Sequence, residues 1–288
     1  MQGTIDGFSY GVVTPVAAYI MACVGGALGL RCVVRSLLNT ESWKPGWLAL
    51  GAAAIGCGIW TMHFIAMIGF QVEETAVRYN VGLTVTSLVV AIVVVGIGVF
   101  VVGYRGATPV ALSVAGVITG LGVAAMHYLG MAALHLNGEI HYDAVTVALS
   151  VVIAIVAATA ALWAAVSIRG FLTSLGASLV MGVAVSGMHY TGMAAVSVHL
   201  HDSSRTTWAG DSPTSLLLPM LIGPAIFLLL AAVVVMFDPL LVLGDSEWGE
   251  KKPRQQPVRQ APPQSAKQDI GSPSPHWQRT PTRTDLRL

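Results

Sequence analysis

Charged side chains are scarce in this chain of 288 residues, because Asp, Glu, Lys and Arg make up only 10% of it, against roughly 25% in soluble domains. Hydrophobic residues account for 55%, and the mean hydropathy is +0.72. An ordinary soluble globule is excluded, since so few polar side chains could not cover its surface. The formal net charge of +1 gives no sign of a nucleic-acid partner. This composition predicts a protein that crosses a lipid bilayer several times.

Cysteine is also rare, and this limits the kinds of site that can be expected. No two of the three cysteines have the spacing Cys-x-x-Cys, so neither a disulfide framework nor a structural zinc site of that type is predicted. No cluster of carboxylates, nucleophile or phosphate-binding loop accompanies the histidines described below. We therefore expect no enzymatic activity.

Seven stretches free of Asp, Glu, Lys and Arg are each long enough, at about 20 residues, to cross roughly 30 Å of hydrocarbon as a helix. They are Tyr10–Leu30, Trp47–Phe70, Val81–Gly103, Val110–Leu134, Ala144–Ile168, Phe171–Val198 and Ser215–Phe237. The prediction is an all-α bundle of seven transmembrane helices over residues 1–243. Residues 244–288 hold seven of the fourteen prolines and are expected to form a disordered cytoplasmic tail.

The basic residues predict an orientation, since Lys and Arg favour the cytoplasmic side of a membrane. Thirteen of the fifteen follow an odd-numbered stretch or lie in the tail, among them Arg31 and Arg35, which are expected in the loop after the first span. Only Arg78 and Arg205 fall on the opposite side. We expect a multi-pass protein of the bacterial inner membrane with its N-terminus outside and its C-terminus in the cytoplasm.

A motif recurs in the second, fourth and sixth stretches: glycine, one residue, a small residue, three more residues, then Met-His-aromatic, two residues and Met. Its copies are Gly56–Met67, Gly120–Met131 and Gly182–Met193. The histidines are 64 and 62 residues apart, which is the length of one helix pair with its loops. The first six helices are therefore predicted to form three two-helix repeats, with the seventh helix as an addition.

Parallel repeats place the three motifs at one depth, which we expect to be about 12–15 Å below the first outer polar residues. An ionisable side chain at such a depth normally faces the bundle interior, a partner or a water-filled cavity. Imidazole is the commonest metal ligand, and a thioether favours Cu(I). The motif therefore predicts a copper site, although helix packing around a threefold core would account for the same pattern.

Met188-His189-Tyr190-Thr191 spells the signature of the bacterial MHYT integral membrane sensor domain, which the chain resembles over about residues 8–243. The resemblance implies seven spans and a copper site that senses a diatomic gas such as O2, CO or NO. The ligands that it implies are Met62, His63, Met67, Met126, His127, Met131, Met188, His189 and Met193. Two copies depart from the motif, with Phe64-Ile65 in place of Tyr-Thr and Leu129 in place of Thr.

Family members often continue into cyclase, phosphodiesterase or kinase domains, but residues 244–288 are not expected to form one. A signal from this chain is therefore expected to pass to a separate cytoplasmic signalling protein. We expect a membrane sensor of a diatomic gas or of copper itself, with the bilayer as its other partner. One alternative is a copper transport protein, and another is a structural or interaction protein without a metal. Four more histidines, His135, His141, His199 and His201, are predicted in outer loops. His135 is expected to continue the helix face of His127.

Overall fold

The computed structural model describes residues 2–38, 43–168, 170–200 and 213–238, all of which belong to the unit Met1–Glu250. A second unit, Lys251–Leu288, lies outside the described residues. The predicted tail, the predicted domain boundary after residue 243, His201 and Arg205 also lie outside them.

Within the described ranges, seven helices are long and apolar enough to cross a membrane. They are α1 Val13–Leu38, α2 Lys44–Ile68, α3 Val81–Arg105, α4 Pro109–Ala132, α5 Ala144–Ser167, α6 Phe171–Ala194 and α7 Pro213–Met236. The predicted fold class is therefore confirmed, and α3, α5 and α6 begin at the predicted residues.

Short polar side chains and one glycine set several helix ends. The side chain of Asn80 accepts a hydrogen bond from the backbone N–H of Leu83 at 3.0 Å, and Asp143 accepts one from the N–H of Thr146 at 2.9 Å. Each satisfies a backbone donor that has no partner within its helix, and so fixes the first turn of α3 and of α5. At the end of α3, Gly106 has a φ of 71°, in the left-handed region that favours glycine.

Helix α1 runs eight residues past its predicted end, so the expectation that Arg31 and Arg35 lie in a loop was wrong. Both arginines are 8% exposed. Nε of Arg35 donates to the carboxylate of Asp238 at 2.7 Å, and its guanidinium carbon lies 5.2 Å from the ring centroid of Trp47. The Arg31 guanidinium lies 5.5 Å from the ring of Phe171. These partners allow a charged side chain to be buried within a helix.

In the described part of the chain, six short strands pair with one another at one end of the helix bundle. We call this end of the bundle the strand end. They are β1 Ile5–Asp6, β2 Gln71–Val72, β3 Arg78–Tyr79, β4 Leu134–His135, β5 Gly138–Tyr142 and β6 Val196–Leu200. Strand β1 pairs with β2, β3 with β4 and β5 with β6, all antiparallel. Each pair joins the chain before an odd helix to the chain after the next even helix. The repeat is therefore a strand–helix–helix–strand unit.

The strands correct two sequence expectations. The sixth span was predicted to reach residue 198, but α6 ends at Ala194 because the following residues pair with β5. His135 was expected to continue the helix face of His127, but α4 ends at Ala132 and His135 pairs with Arg78 in the ladder of β3 and β4.

Helices α1 to α6 form a closed ring in chain order, and α7 packs outside it against α2 and α1. The first glycine of each motif lies where an even helix touches the odd helix that follows it around the ring, with α1 following α6. A Cβ atom added to Gly56, for example, would lie 2.9 Å from Cα of Ile92 in α3, so a side chain there would separate the two helices. The three contacts are Gly56 with Ile92, Gly120 with Ile155, and Gly182 with Cys23 of α1. The last of these closes the ring.

Candidate metal centre

The three motif histidines meet inside the helix ring. Nδ1 of His63 is 3.1 Å from Nδ1 of His189 and 3.2 Å from Nδ1 of His127, and the third edge of this triangle is 3.3 Å. The rings stand nearly perpendicular to one another, at 79–87°. Each histidine is at most 1% exposed. The repeat thus brings three imidazoles, one each from α2, α4 and α6, to a single point.

Mutual hydrogen bonds cannot form along all three edges of this triangle. A neutral imidazole carries one N–H donor and one acceptor nitrogen, so an Nδ1 atom either donates or accepts. At least two of the three atoms must therefore be alike, so at least one of the three contacts joins two donors or two acceptors and cannot be a hydrogen bond. The Nε2 atoms of His63 and His127, on the far side of each imidazole from Nδ1, also lack a hydrogen-bond partner among the described residues. A cation between the three Nδ1 atoms would use all three lone pairs at once.

The triangle also has the size of a metal site. The centre of a triangle with edges of 3.1–3.3 Å lies about 1.8 Å from each corner, and metal–imidazole bonds measure roughly 2.0–2.1 Å. Among the described His, Cys, Asp and Glu side chains, this is the one group of three or more whose ligand atoms lie close enough to share an ion. The residues present therefore fit a metal held by three nitrogens.

The centre lies close to the strand end of its helices. Helices α2, α4 and α6 each end five residues after their histidine, which is about 7.5 Å at helical rise. The expected distance of about 12–15 Å is counted to the first outer polar residues and not to the helix ends, and this depth stays a prediction. The matching spacing in the three helices means that their imidazoles lie at one level.

Glycines behind the imidazoles were missed at the sequence level. A Cβ atom on Gly192 would lie 2.6 Å from Nε2 of His127, and one on Gly130 would collide with Nε2 of His63. Each of these glycines follows its own histidine by three residues and supports the histidine of the preceding copy. Ala66 occupies this position in the first copy. The signal was present in the sequence as Met-His-Tyr-x-Gly-Met in the second and third copies.

The motif aromatics connect the centre to the strand end. Each packs with its ring steeply inclined to that of its own histidine, at centroid distances of 4.6–5.0 Å. Each also contacts an aromatic residue that precedes an odd helix. These pairs are Phe64 with Tyr79, Tyr128 with Tyr142, and Tyr190 with Phe8. The same threefold pattern therefore extends from the imidazoles to the outer segments.

The motif methionines surround this centre in apolar packing. Met62 lies in a small cluster with Ala18, Ala22 and Ala66, and Met193 is half-buried. The other four belong to or pack within the main apolar cluster: Met67, Met126, Met131 and Met188. Ligation by these thioethers stays a prediction.

A cavity of about 50 Å³ lies on the side of the histidines away from the strand end. The cavity is lined by the residues four and eight positions before each histidine, so it lies on the axis of the helix ring. These residues are Ile55, Ile59, Thr119, Val123, Met181 and Val185. Cavities lined almost wholly by carbon stay dry and accept small apolar molecules.

Comparison with known proteins identifies the repeat. Residues 56–115 and 120–178 match the family model MHYT, described as a bacterial signalling protein N terminal repeat. The chain is 34% identical over 197 residues to the bifunctional diguanylate cyclase/cyclic di-GMP phosphodiesterase MucR of Pseudomonas aeruginosa, covering 67% of this chain and 29% of that protein. It is 34% identical over 214 residues to the cyclic di-GMP phosphodiesterase NbdA of the same organism, covering 68% and 26%.

The signaling protein YkoW of Bacillus subtilis is 27% identical over 198 residues, covering 66% of this chain and 24% of that protein. The chain thus spans less than a third of the length of each of these relatives, and the activities in their names belong to those proteins. No solved structure matches it. The two matched repeats, and the third copy of the motif in α6, show that this multi-pass membrane protein belongs to the MHYT family.

Proposed function

We propose that this protein is a bacterial membrane sensor whose three motif histidines hold a copper ion. The observation that supports a metal most strongly is the triangle of buried Nδ1 atoms, whose three contacts cannot all be hydrogen bonds. A sensory role is supported by the signalling proteins among its relatives. Copper bound there would supply an open coordination position for a small ligand.

The chain's own residues would prepare this centre. Gly130 and Gly192 leave room for the rings of His63 and His127, and the motif aromatics hold the rings from the strand end. A ligand side chain held by such packing loses little freedom when it binds an ion.

The choice of copper rests on the methionines. Imidazole alone suits zinc, copper, iron and nickel, whereas a thioether favours Cu(I). We therefore propose that the methionines of the motif complete a soft environment around the three nitrogens. Zinc bound in place of copper in the purified protein would contradict this choice.

The ligand that we propose for sensing is a diatomic molecule such as O2, CO or NO. The apolar cavity beside the histidines supports this choice, since it has room for a small apolar molecule and repels ions. A copper transport path is supported less well. Met181 and Met188 do supply thioethers to the cavity, but its other lining is mostly carbon, and an ion in such surroundings is costly.

We further propose that the strand end faces the periplasm and that the opposite end faces the cytoplasm. Arg31, Arg35, Lys44 and Arg105 lie towards that opposite end, as the preference of basic residues for the cytoplasmic side requires. A change at the centre would then reach a separate cytoplasmic signalling protein, or signalling domains like those named in the relatives, through the inner ends of the helices.

Metal analysis tests the proposal. The protein, purified in detergent and loaded with Cu(I), should hold copper that a variant with His63, His127 and His189 all changed to Ala does not hold. His135→Ala removes an exposed histidine near the strand end and should leave this copper in place. Equal copper in the triple variant would favour the structural role without a metal. Gly130→Ala keeps all three histidines, so it distinguishes loss of the site from loss of ligands.

A further inference from the structure

Two histidines and a glutamate lie together at the strand end, on the ladder of β5 and β6. Glu139 pairs directly with His199, and His141 with Ser197. Directly opposite residues of an antiparallel pair project from the same face, as do residues two apart along one strand. Glu139, His141 and His199 therefore share one face of the ladder.

The side chains on that face are already in contact. The rings of His141 and His199 lie 4.8 Å apart between centroids and are nearly perpendicular, at 87°. Nε2 of His141 lies 3.7 Å from the carboxylate of Glu139. The side chains of His141 and Glu139 are 55% and 67% exposed, so small rotations at the surface can change these separations without disturbing the fold.

We propose that His141, His199 and Glu139 form a second metal site, open to water, for a divalent ion such as Cu(II). Two imidazoles and one carboxylate are a recurrent ligand set for borderline divalent ions. The ladder holds the three ligands together on two neighbouring strands, so they lose less conformational freedom when they bind an ion. This site uses none of the motif residues and does not rest on the proposed function of the three histidines.

Its position relates it to the buried centre. Strand β6 begins two residues after α6 ends, and His199 follows His189 by ten residues. Strand β5 immediately precedes Asp143, which caps α5. An ion captured at the ladder is therefore held at the end of the bundle nearest the buried triangle.

The test is Cu(II) binding to the full chain, purified in detergent through a tag that contains no histidine. Electron paramagnetic resonance and equilibrium dialysis would count the Cu(II) ions and give their affinity. A variant with His141→Ala and His199→Ala should lose one Cu(II) ion or bind it at least about tenfold more weakly. Glu139→Gln should weaken the binding of the same ion. His135→Ala is the matched control, because it removes an exposed strand-end histidine outside the cluster.

The outcomes separate this site from the buried one. If the variant lacking His141 and His199 binds as many Cu(II) ions as the unchanged protein, with the same affinity, the second site does not exist. An equal loss in His135→Ala would mean that exposed histidines bind the ion without any built site, which also overturns the proposal. A protein with His63, His127 and His189 changed to Asn should retain the ladder-bound ion, whatever becomes of the buried centre.

Discussion

Gly130 of α4 is the surface against which the imidazole of His63 packs: a Cβ atom at this position would collide with Nε2 of that ring. We expect Gly130→Ala to push the ring of His63 away from the other two imidazoles. Metal affinity should then fall about 10- to 100-fold, as it does when the groups that orient a ligand are changed. Dialysis against buffered copper would measure the change.

Gly187→Ala is the matched control for that experiment. Gly187 lies two residues before the third histidine, and a Cβ atom there would meet nothing within 4 Å. Copper affinity should stay as in the unchanged protein. If Gly130→Ala also left the affinity unchanged, the account of how the rings are positioned would be wrong.

The glycine at the start of each motif should matter for stability rather than for metal binding alone. A Cβ atom on Gly120 would overlap the backbone of Ile155 in α5, so Gly120→Ala forces two helices apart. We expect a loss of about 1–3 kcal/mol in the free energy of unfolding, the usual cost of overpacking. Unfolding in detergent would measure it. Gly176→Ala, which adds a methyl group where nothing lies within 4 Å, should not destabilise the protein.

The ion pair between Arg35 and Asp238 joins the end of α1 to the residue just beyond α7, with both side chains about 10% exposed. Arg35→Met leaves a poorly exposed carboxylate without its arginine, so we expect a loss of about 3 kcal/mol in stability. Adding Asp238→Leu should recover much of that loss, because the lone charge is removed. A comparable loss from Arg105→Gln, which removes an exposed arginine at the end of α3, would contradict this explanation.

Asp143 predicts a dependence on pH at the start of α5. A hydrogen bond from the Thr146 hydroxyl, at 2.6 Å, followed by one from its backbone N–H, holds the pKa of Asp143 below the ordinary value of 3.8. Its contribution to stability is therefore complete above that value and is lost as the pH falls through the lower pKa of the folded state.

Hydrogen exchange in the first turn of α5, corrected for intrinsic rates, would follow this loss. Protection should decrease only as the pH falls below about 4. Asn caps a helix without titrating, so the protection in Asp143→Asn should not depend on pH over the same range. The same acid-induced loss in both proteins would show that another group is responsible.

Much of the fold and the meeting of the histidines followed from the sequence for one physical reason. Lipid requires long apolar helices, which leave a clear record in composition, and a repeat of two spans fixes the depth of each copy. His63, His127 and His189 could therefore be placed at one level without any knowledge of side-chain positions. The threefold pattern also implied that they would converge.

The sequence was less informative where short contacts decide the structure. Strands of two to five residues carry no periodic pattern, so the ladder that holds His141 and His199 was predicted as loops. Arg35 was placed in a loop because its charge suggested the end of a span, whereas Asp238, far along the chain, allows it to lie within α1. The glycines behind the imidazoles were visible as letters, but their role depends on which ring each one faces.

The most direct measurement is X-ray absorption at the copper edge of copper-loaded protein in which His141 and His199 are changed to Ala. Removing these two histidines leaves the buried centre as the site under test. The triangle predicts scattering from three imidazole nitrogens at about 2.0 Å, one fewer in a further variant with His127→Asn. A copper ion with no imidazole neighbours, or the same nitrogen count in that variant, would contradict a metal centre built from His63, His127 and His189.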